Sequence, residues 1–364
     1  MNDNFRAMKT GAGRYIQAVG VINTIGQELK SLGHLRVGII AGNRAYQAVQ
    51  NDLLYGMNKF DVFCLVNIFA GHCTIKEIQK GVEWTNVNDF DCLIGVGGGK
   101  VLDYSKAVGA QVGLPVFMVP TIAATCAAFA PLSVIYDEKG RQQKIIYHDN
   151  SVAGVFIDAK VIANAPSRYL AAGIADSFAK YCEYTSMLPN VSLNHMELGR
   201  YVGAKLACVS DEILLSIGEK AYEANKEHKV TQELEDVIAC IIGIIGMISG
   251  LGSFVKRKIS RFALAHGLNE VVRGTHIPDS SKFLHGEIVG VGVLAQMRAN
   301  NQSKTSIKRI EAMYSNLKLP TRLSEIEINY CDSEFNSFIN ELLVHCHIDD
   351  IDKGRVVEAL HAIR

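Results

Sequence analysis

The sequence predicts an α/β domain built on a mostly parallel sheet, followed by an all-helical domain. Length is the first reason, since 364 residues exceed one ordinary hydrophobic core and favour two domains. Texture is the second. Short Val- and Ile-rich runs alternate with amphipathic helical stretches up to Asp158, and from Ala165-Pro166 onward nearly every periodic segment has helical spacing. The boundary is expected near residue 163, dividing the chain into 1–163 and 164–364, with the cleft between the domains as the default place for a site.

Arg36–Ala41, Val62–Val66, Cys92–Val96, Val116–Val119 and Val152–Ile157 read as strands, being brief and apolar. Arg44–Lys59, Thr74–Trp84 and Gly99–Ala110 read as helices between them, the alternation that builds a parallel sheet with helices on both faces. Val134–Tyr136 and Lys144–His148 flank Asp137-Glu138-Lys139-Gly140 and read as an inserted β-hairpin. Long helical candidates follow at 168–186, 195–227, 231–250 and 258–272. No internal repeat or low-complexity segment interrupts them.

Composition narrows the function class. Lys plus Arg number 37 and so do Asp plus Glu, so nothing in the charge favours nucleic acid or an anionic membrane as partner. The nine cysteines lack CxxC spacing and sit partly in apolar runs such as Asp91-Cys92-Leu93-Ile94, the pattern of buried free thiols in a reducing compartment. The N-terminal MNDNFRAMKTGAGRY has no apolar core of a secretory signal. The most lipid-like stretch, Val237–Leu251, is about fifteen residues long and broken by glycines, where a span needs roughly twenty. It reads as a buried helix, and the protein as a cytoplasmic one acting on a small molecule.

Ile94-Gly95-Val96-Gly97-Gly98-Gly99-Lys100-Val101-Leu102-Asp103 runs from a buried strand through three glycines into a helix. Missing side chains let the backbone approach a ligand, and a helix start offers unpaired N–H groups and partial positive charge, so a pyrophosphate fits. The pattern is neither GxGxxG nor the GxxxxGK[ST] P-loop, and a βα turn without a ligand would read the same way. Asp103 is either part of this cofactor site or a first-turn acid complementing the helix dipole. Val119-Pro120-Thr121-Ile122-Ala123-Ala124-Thr125-Cys126 leaves the next strand end, where doubly wound sheets bind ligands.

GGGKVLDYSKAV, VPTIAATCA, PLSVIYD, AGIADSFAK, LAHGL and FLHGEIVGVG together resemble the glycerol dehydrogenase-type branch of the iron-containing alcohol dehydrogenases, in its order and rough spacing, from about residue 36 to 300. The resemblance implies a dinucleotide-binding α/β domain followed by a helical metal-binding domain, the dehydroquinate synthase-like architecture. It implies that Gly98, Gly99 and Lys100, with Gly97 before them, meet the cofactor's phosphates, and that Thr121, Leu132 and Tyr136 line the rest of the cofactor site. It also implies a metal on Asp176, His266 and His285, a carboxylate and two imidazoles that leave positions open for substrate or water. Spacing alone does not single these out of 11 histidines. Relatives with a further His one turn after the Asp often use iron. Lys180 stands there instead, so zinc is the expected metal and iron the alternative. Relatives are dimers to octamers, which implies a homo-oligomer.

Three departures shape the expected substrate and cofactor. Cys126 stands where glycerol dehydrogenases carry a polyol-binding Asp, and a thiol cannot accept two hydroxyl hydrogen bonds as a carboxylate can. Ile40-Ala41-Gly42-Asn43-Arg44 lacks the acid with which NAD users hold the ribose diol. A 2′-phosphate is then no longer repelled at Gly42, and Arg44 could pair it, unless Arg44 is a solvated helix-start residue. Lys180 shares the helix face of Asp176 and either pairs with Glu183 or meets a substrate carboxylate. TIAATCAAFAPLSV, GIADSFAK and the GHCT at 71–74 look closer to bacterial hydroxycarboxylate dehydrogenases than to polyol enzymes. The expected protein is a metal-dependent NADP- or NAD-linked dehydrogenase interconverting small 2-oxo and 2-hydroxy acids. Asp176, His266, His285 and Lys180 are its expected catalytic residues, with Cys126 and Lys180 facing the substrate. A glycerol, polyol or simple alcohol dehydrogenase is the alternative. A dehydroquinate synthase-like lyase is a remote one, because no basic cluster for a phosphorylated substrate surrounds His266 and His285 in the sequence.

Overall fold

The computed structural model describes residues 10–149, 152–185, 198–252, 263–273, 275–277 and 279–364. The last residue of the helix expected at 168–186, the first three of that at 195–227 and the first five of that at 258–272 lie outside them. The strands are β1 (Tyr15–Gln17), β2 (Arg36–Gly42), β3 (Phe63–Phe69), β4 (Cys92–Gly97), β5 (Val116–Pro120), β6 (Leu132–Tyr136), β7 (Gln142–Tyr147) and β8 (Gly154–Ile157). All but β6 and β7 join one parallel sheet in the order β1-β8-β5-β4-β2-β3, while β6 and β7 form the antiparallel hairpin. The helices of the sheet region are α1 (Ile25–Ser31), α2 (Asn43–Lys59), α3 (Ile75–Asn88), α4 (Gly99–Val112) and α5 (Ala159–Ala163). Helices alone follow among the described residues: α6 (Ser167–Thr185), α7 (Leu198–Lys226), α8 (Gln232–Ala239), α9 (Ile245–Gly252), α10 (Leu264–Val272), α11 (His285–Ala299), α12 (Lys304–Asn316), α13 (Asp332–His345) and α14 (Asp350–His361).

The apolar strand runs are explained by burial on both faces of the sheet. Successive side chains point to opposite faces, so Val37, Ile39 and Ala41 of β2 pack with Ile25, Leu29 and Leu53 on one side, while Ile40 joins Leu93 and Met118 on the other. The second of these clusters continues through Ile174, Phe178, Ile241 and Leu294 to Ile363, so sheet and helices share one apolar core. Strand order reverses at β2, with β3 on one side and β4 on the other. The carboxyl ends of β2 and β4 therefore flank a crevice, the usual ligand position in an open α/β sheet.

The apolar stretch expected at Val237–Leu251 proves longer. Gln232–Leu251 is a continuous helical run of 20 residues, formed by α8, a π-helical turn at Cys240–Ile244 and most of α9, and it is long and apolar enough to cross a membrane. Its Leu234, Val237, Ile238, Ile241, Ile245 and Ile248 are nonetheless buried within the protein, which makes it the core helix its composition suggested. All nine cysteines are free thiols.

Candidate active site

Glycines set how closely the helices around the centre approach. A Cβ on Gly286 would collide with the Ala172 carbonyl oxygen, one on Gly173 with that of Ala123, and one on Gly292 would lie 2.7 Å from Ala265. Bare backbone at these points brings α6, α10, α11 and the loop after β5 together. Glu287, in the first turn of α11, accepts from the Leu284 N–H at 2.8 Å and is gripped by Arg168 of α6, whose Nη2 lies 2.7 Å from Oε2. The start of α11, where His285 is the first helical residue, is thereby tied to α6, which carries Asp176.

Asp176, His266 and His285 meet there, with one potential ligand atom from each lying within 4.8 Å of the others. Asp176 Oδ1 lies 3.2 Å from His285 Nε2 and 3.6 Å from His266 Nε2. Asp176 is 5% exposed, and its Oδ1 has no hydrogen-bond partner among the described residues. A buried carboxylate oxygen faced by two imidazole nitrogens and otherwise unsatisfied is a donor set that suits a divalent cation. Burial works against the Asp176 charge, but His285 and His266 outweigh it and hold the carboxyl well below the usual carboxylate range. For His266, burial alone would lower the pKa, and Glu183 and Asp176 instead raise it to about 9.

Glu183 is where the structure departs from one of the two sequence readings. It does not pair with Lys180 but accepts from His266, at 2.9 Å from Nδ1 to either carboxylate oxygen and 3.0 Å from the backbone N–H. Lys180 forms no ion pair among the described residues. Burial opposes its charge, while the neighbouring carboxylates of Glu183 and Asp176 favour the ammonium. Cys126 lies within the reach of both Lys180 and Asp176, its Sγ is 3.6 Å from Ser249 Oγ, and burial pushes its thiol pKa up. Periodicity could have found Glu183, since 176, 180 and 183 stand at i, i+4 and i+7 of one helix face.

A groove of about 660 Å³ is lined by Gly98, Thr121 and Ile122 together with Arg44, Asp158 and Tyr169. Gly97 has φ of 150°, which side-chain-bearing residues rarely adopt, and its carbonyl accepts from the Thr121 N–H at 3.2 Å. Gly98 caps α4 without a side-chain hydrogen bond, leaving first-turn N–H groups for an anion, and a Cβ there would lie 2.8 Å from Ile122 Cδ1. Gly42 ends β2 beside this turn: a Cβ on Gly42 or on Gly97 would lie 3.3 Å from Val101 Cγ2. The crevice thus fits a dinucleotide diphosphate. Gly99 begins α4, and Lys100 is exposed in its first turn. Leu132 and Tyr136 lie on β6, outside the lining of this groove. The Tyr136 ring is 5.7 Å from that of His72, and burial pushes its phenol to about 12.

Asp103 has protein partners. It turns away from the glycine turn into the core, 7% exposed, with Oδ1 2.9 Å from Lys106 Nζ and Oδ2 accepting from Val134 N–H at 3.0 Å. Lys106 in turn donates to the carbonyls of Ala127 (2.7 Å) and Ala130 (3.0 Å). The pair braces the segment after Cys126. One further group among the described residues, His34, Asp91 and Cys92, also clusters metal-binding atoms. Its Asp91 Oδ2 is already engaged by the N–H groups of Leu35 (2.7 Å) and Arg36 (3.0 Å), and burial holds the Cys92 thiol protonated.

An open parallel sheet with a glycine turn at its switch point, followed by helices that gather two imidazoles and a carboxylate, is an arrangement suited to an enzyme that binds a nucleotide and a metal. The chain belongs to the iron-containing alcohol dehydrogenase family, whose profile it matches over residues 12–160. It is 34% identical over 294 residues to hydroxycarboxylate dehydrogenase A of Escherichia coli (strain K12), covering 81% of this chain and 76% of that one. It is 32% identical over 327 residues to a glycerol dehydrogenase of Thermotoga maritima, covering 88% and 85%. Among solved structures, a probable glycerol dehydrogenase from Sinorhizobium meliloti 1021 superimposes with a TM-score of 0.81 at 24% identity, over 99% of this chain and 98% of that one. The protein is therefore an oxidoreductase acting on CH–OH groups, and its family implies a nicotinamide cofactor and a divalent metal. The lyase reading is set aside.

Proposed function

We propose that the protein interconverts small 2-oxo acids and 2-hydroxy acids by hydride transfer with NADP(H) or NAD(H), using a divalent metal, zinc first, on Asp176, His266 and His285. Lys180 carries the reading: it places an ammonium one turn from Asp176, and the carboxylate that could have neutralised it is engaged by His266. When bound, the cation supplies Lewis acidity to the hydroxyl or carbonyl oxygen of the substrate. Lys180 draws and orients the substrate carboxylate. Cys126, kept a neutral thiol by burial, presents no charge to repel that carboxylate where a glycerol-binding Asp would. Gly98, Gly99 and Lys100 hold the diphosphate at the start of α4, Thr121 lines the groove beyond, and Leu132 and Tyr136 border the nicotinamide side. Gly42 and Arg44 admit a 2′-phosphate, a reading supported by Arg44 lining the same groove as Gly98 and Thr121. The division near residue 163 then gives the cofactor to the first domain and the metal to the second.

The hydroxycarboxylate dehydrogenase relative supports this reading, and the glycerol dehydrogenase relatives favour a second, polyol oxidation. Steady-state kinetics with zinc, both cofactors, a series of small 2-oxo acids and dihydroxyacetone separate them. Higher kcat/KM for the 2-oxo acids is expected, and the reverse order would overturn the proposal.

A further inference from the structure

We infer that Glu183 is a positioning residue that locks the His266 ring with Nε2 toward Asp176 and thereby sets the affinity of the centre for a divalent cation. The inference rests on the reading of Asp176, His266 and His285 as ligands. A carboxylate can only accept, so two carboxylate oxygens at 2.9 Å from Nδ1 require a proton on Nδ1 and leave Nε2 as the ring nitrogen that can face a metal. The same Glu183 takes the His266 backbone N–H at 3.0 Å. That second bond follows from the sequence of α10. His266 is its third residue, so its N–H belongs to the first turn and has no carbonyl within the helix, and Ala263 at the N-cap offers no side-chain acceptor. Acceptors from neighbouring helices replace the missing cap: Glu183 of α6 for His266, and Gln296 Oε1 of α11 for the Leu264 N–H at 2.7 Å. One buried carboxylate, 8% exposed, thus fixes both the backbone and the ring of His266.

The two imidazoles are not equivalent. His266 is clamped between Asp176 on its Nε2 side and Glu183 on its Nδ1 side, and its side chain is 21% exposed. His285 is 36% exposed, and no carboxylate braces its Nδ1 among the described residues. Carboxylates in this position orient metal-ligating histidines and raise their basicity. Removing the brace frees the ring to rotate and to take the other tautomer.

The test uses full-length wild type, Glu183→Ala, Glu183→Gln and His266→Ala, each stripped with a chelator. Zn²⁺ affinity is measured by competition with a chromophoric chelator, the visible spectrum of the Co²⁺ form is recorded, and the melting temperature of the metal-free protein is determined. Glu183→Ala should weaken Zn²⁺ binding about 10- to 100-fold and alter the Co²⁺ spectrum. Glu183→Gln, whose amide oxygen still accepts from Nδ1–H, should bind several-fold more weakly than wild type with a near wild-type spectrum. If Glu183→Ala does not fold, Glu183→Gln decides alone. Wild-type Zn²⁺ affinity in the folded variants overturns the inference. So does an equal loss in both that tracks a lowered melting temperature, because that is a packing defect. If His266→Ala also binds Zn²⁺ as wild type does, the ligand assignment itself fails; if it loses zinc and the Glu183 variants do not, only the positioning role fails.

Discussion

Replacing Lys180 by Met tests the substrate class most sharply, because Met keeps most of the apolar stem and removes only the ammonium. The wild-type cation is half-buried, sits one turn from Asp176 and forms no ion pair among the described residues. Its removal breaks no ion pair among the described residues but withdraws a charge that favours the ionised Glu183, so a neutral-substrate control separates the contact with substrate from that change. A charge-assisted hydrogen bond to a carboxylate is worth about 1.5–3 kcal/mol, roughly a ten- to hundredfold change in binding. Glu183 and Asp176 already share part of the Lys180 field, which argues for the lower half of that range. The assay is kcat/KM for a small 2-oxo acid and for a neutral aldehyde, in wild type and Lys180→Met, at saturating cofactor and zinc. The 2-oxo acid should lose about tenfold or more while the aldehyde is nearly unchanged. An equal loss for both substrates would mean that Lys180 maintains the centre rather than selecting an anion, and the argument from charge would fall.

Two further substitutions probe the cofactor groove and the helix packing. Gly42→Asp should shift preference toward NAD(H) by about tenfold, restoring a diol acceptor and repelling a 2′-phosphate. Gly42 is extended (φ −74°, ψ 143°) and N-caps α2 without a side-chain bond, so Asp fits there with a small adjustment of Val101 and should not destabilise the fold; unchanged cofactor ratios would refute the groove assignment. Gly286→Ala places a methyl against the Ala172 carbonyl and must push α11 off α6, with about 1–3 kcal/mol lost and His285 displaced from Asp176. Thermal melts and metal analysis check it, and a variant with wild-type stability and full metal occupancy would contradict the close-packing account.

Where hydrophobic periodicity was strong, the fold could be read directly. β2, β4 and β5 lie within a residue of their expected positions because strands buried on two faces leave uninterrupted apolar runs, and the partly exposed hairpin lies within two residues of its expected place on either side of the Asp137–Gly140 turn. β1 and α1 were not anticipated. Three residues of strand held by the edge of β8, and seven residues of helix, carry too little periodicity to stand out from the surrounding chain. The metal set was legible only through resemblance, since nothing in the spacing of Asp176, His266 and His285 distinguishes them from other residues of the same types. Charge partners were the least legible. Asp103 reads like any acid in a first helical turn until the buried Lys106 is found beside it, and Glu183 reads like a partner for Lys180 until the chain brings His266 closer. Asp103 and Lys106 are only three residues apart on one helix, but the meeting of Glu183 and His266 is a tertiary contact across 83 residues that local pattern does not encode.

Anomalous X-ray scattering at the zinc edge, from crystals of the full chain grown with zinc, tests the central claim most directly. The account predicts one strong peak bonded by an Asp176 carboxylate oxygen and by Nε2 of His266 and of His285, at about 2.0–2.2 Å from each. A peak at His34, Asp91 and Cys92 with none beside Asp176 would contradict it.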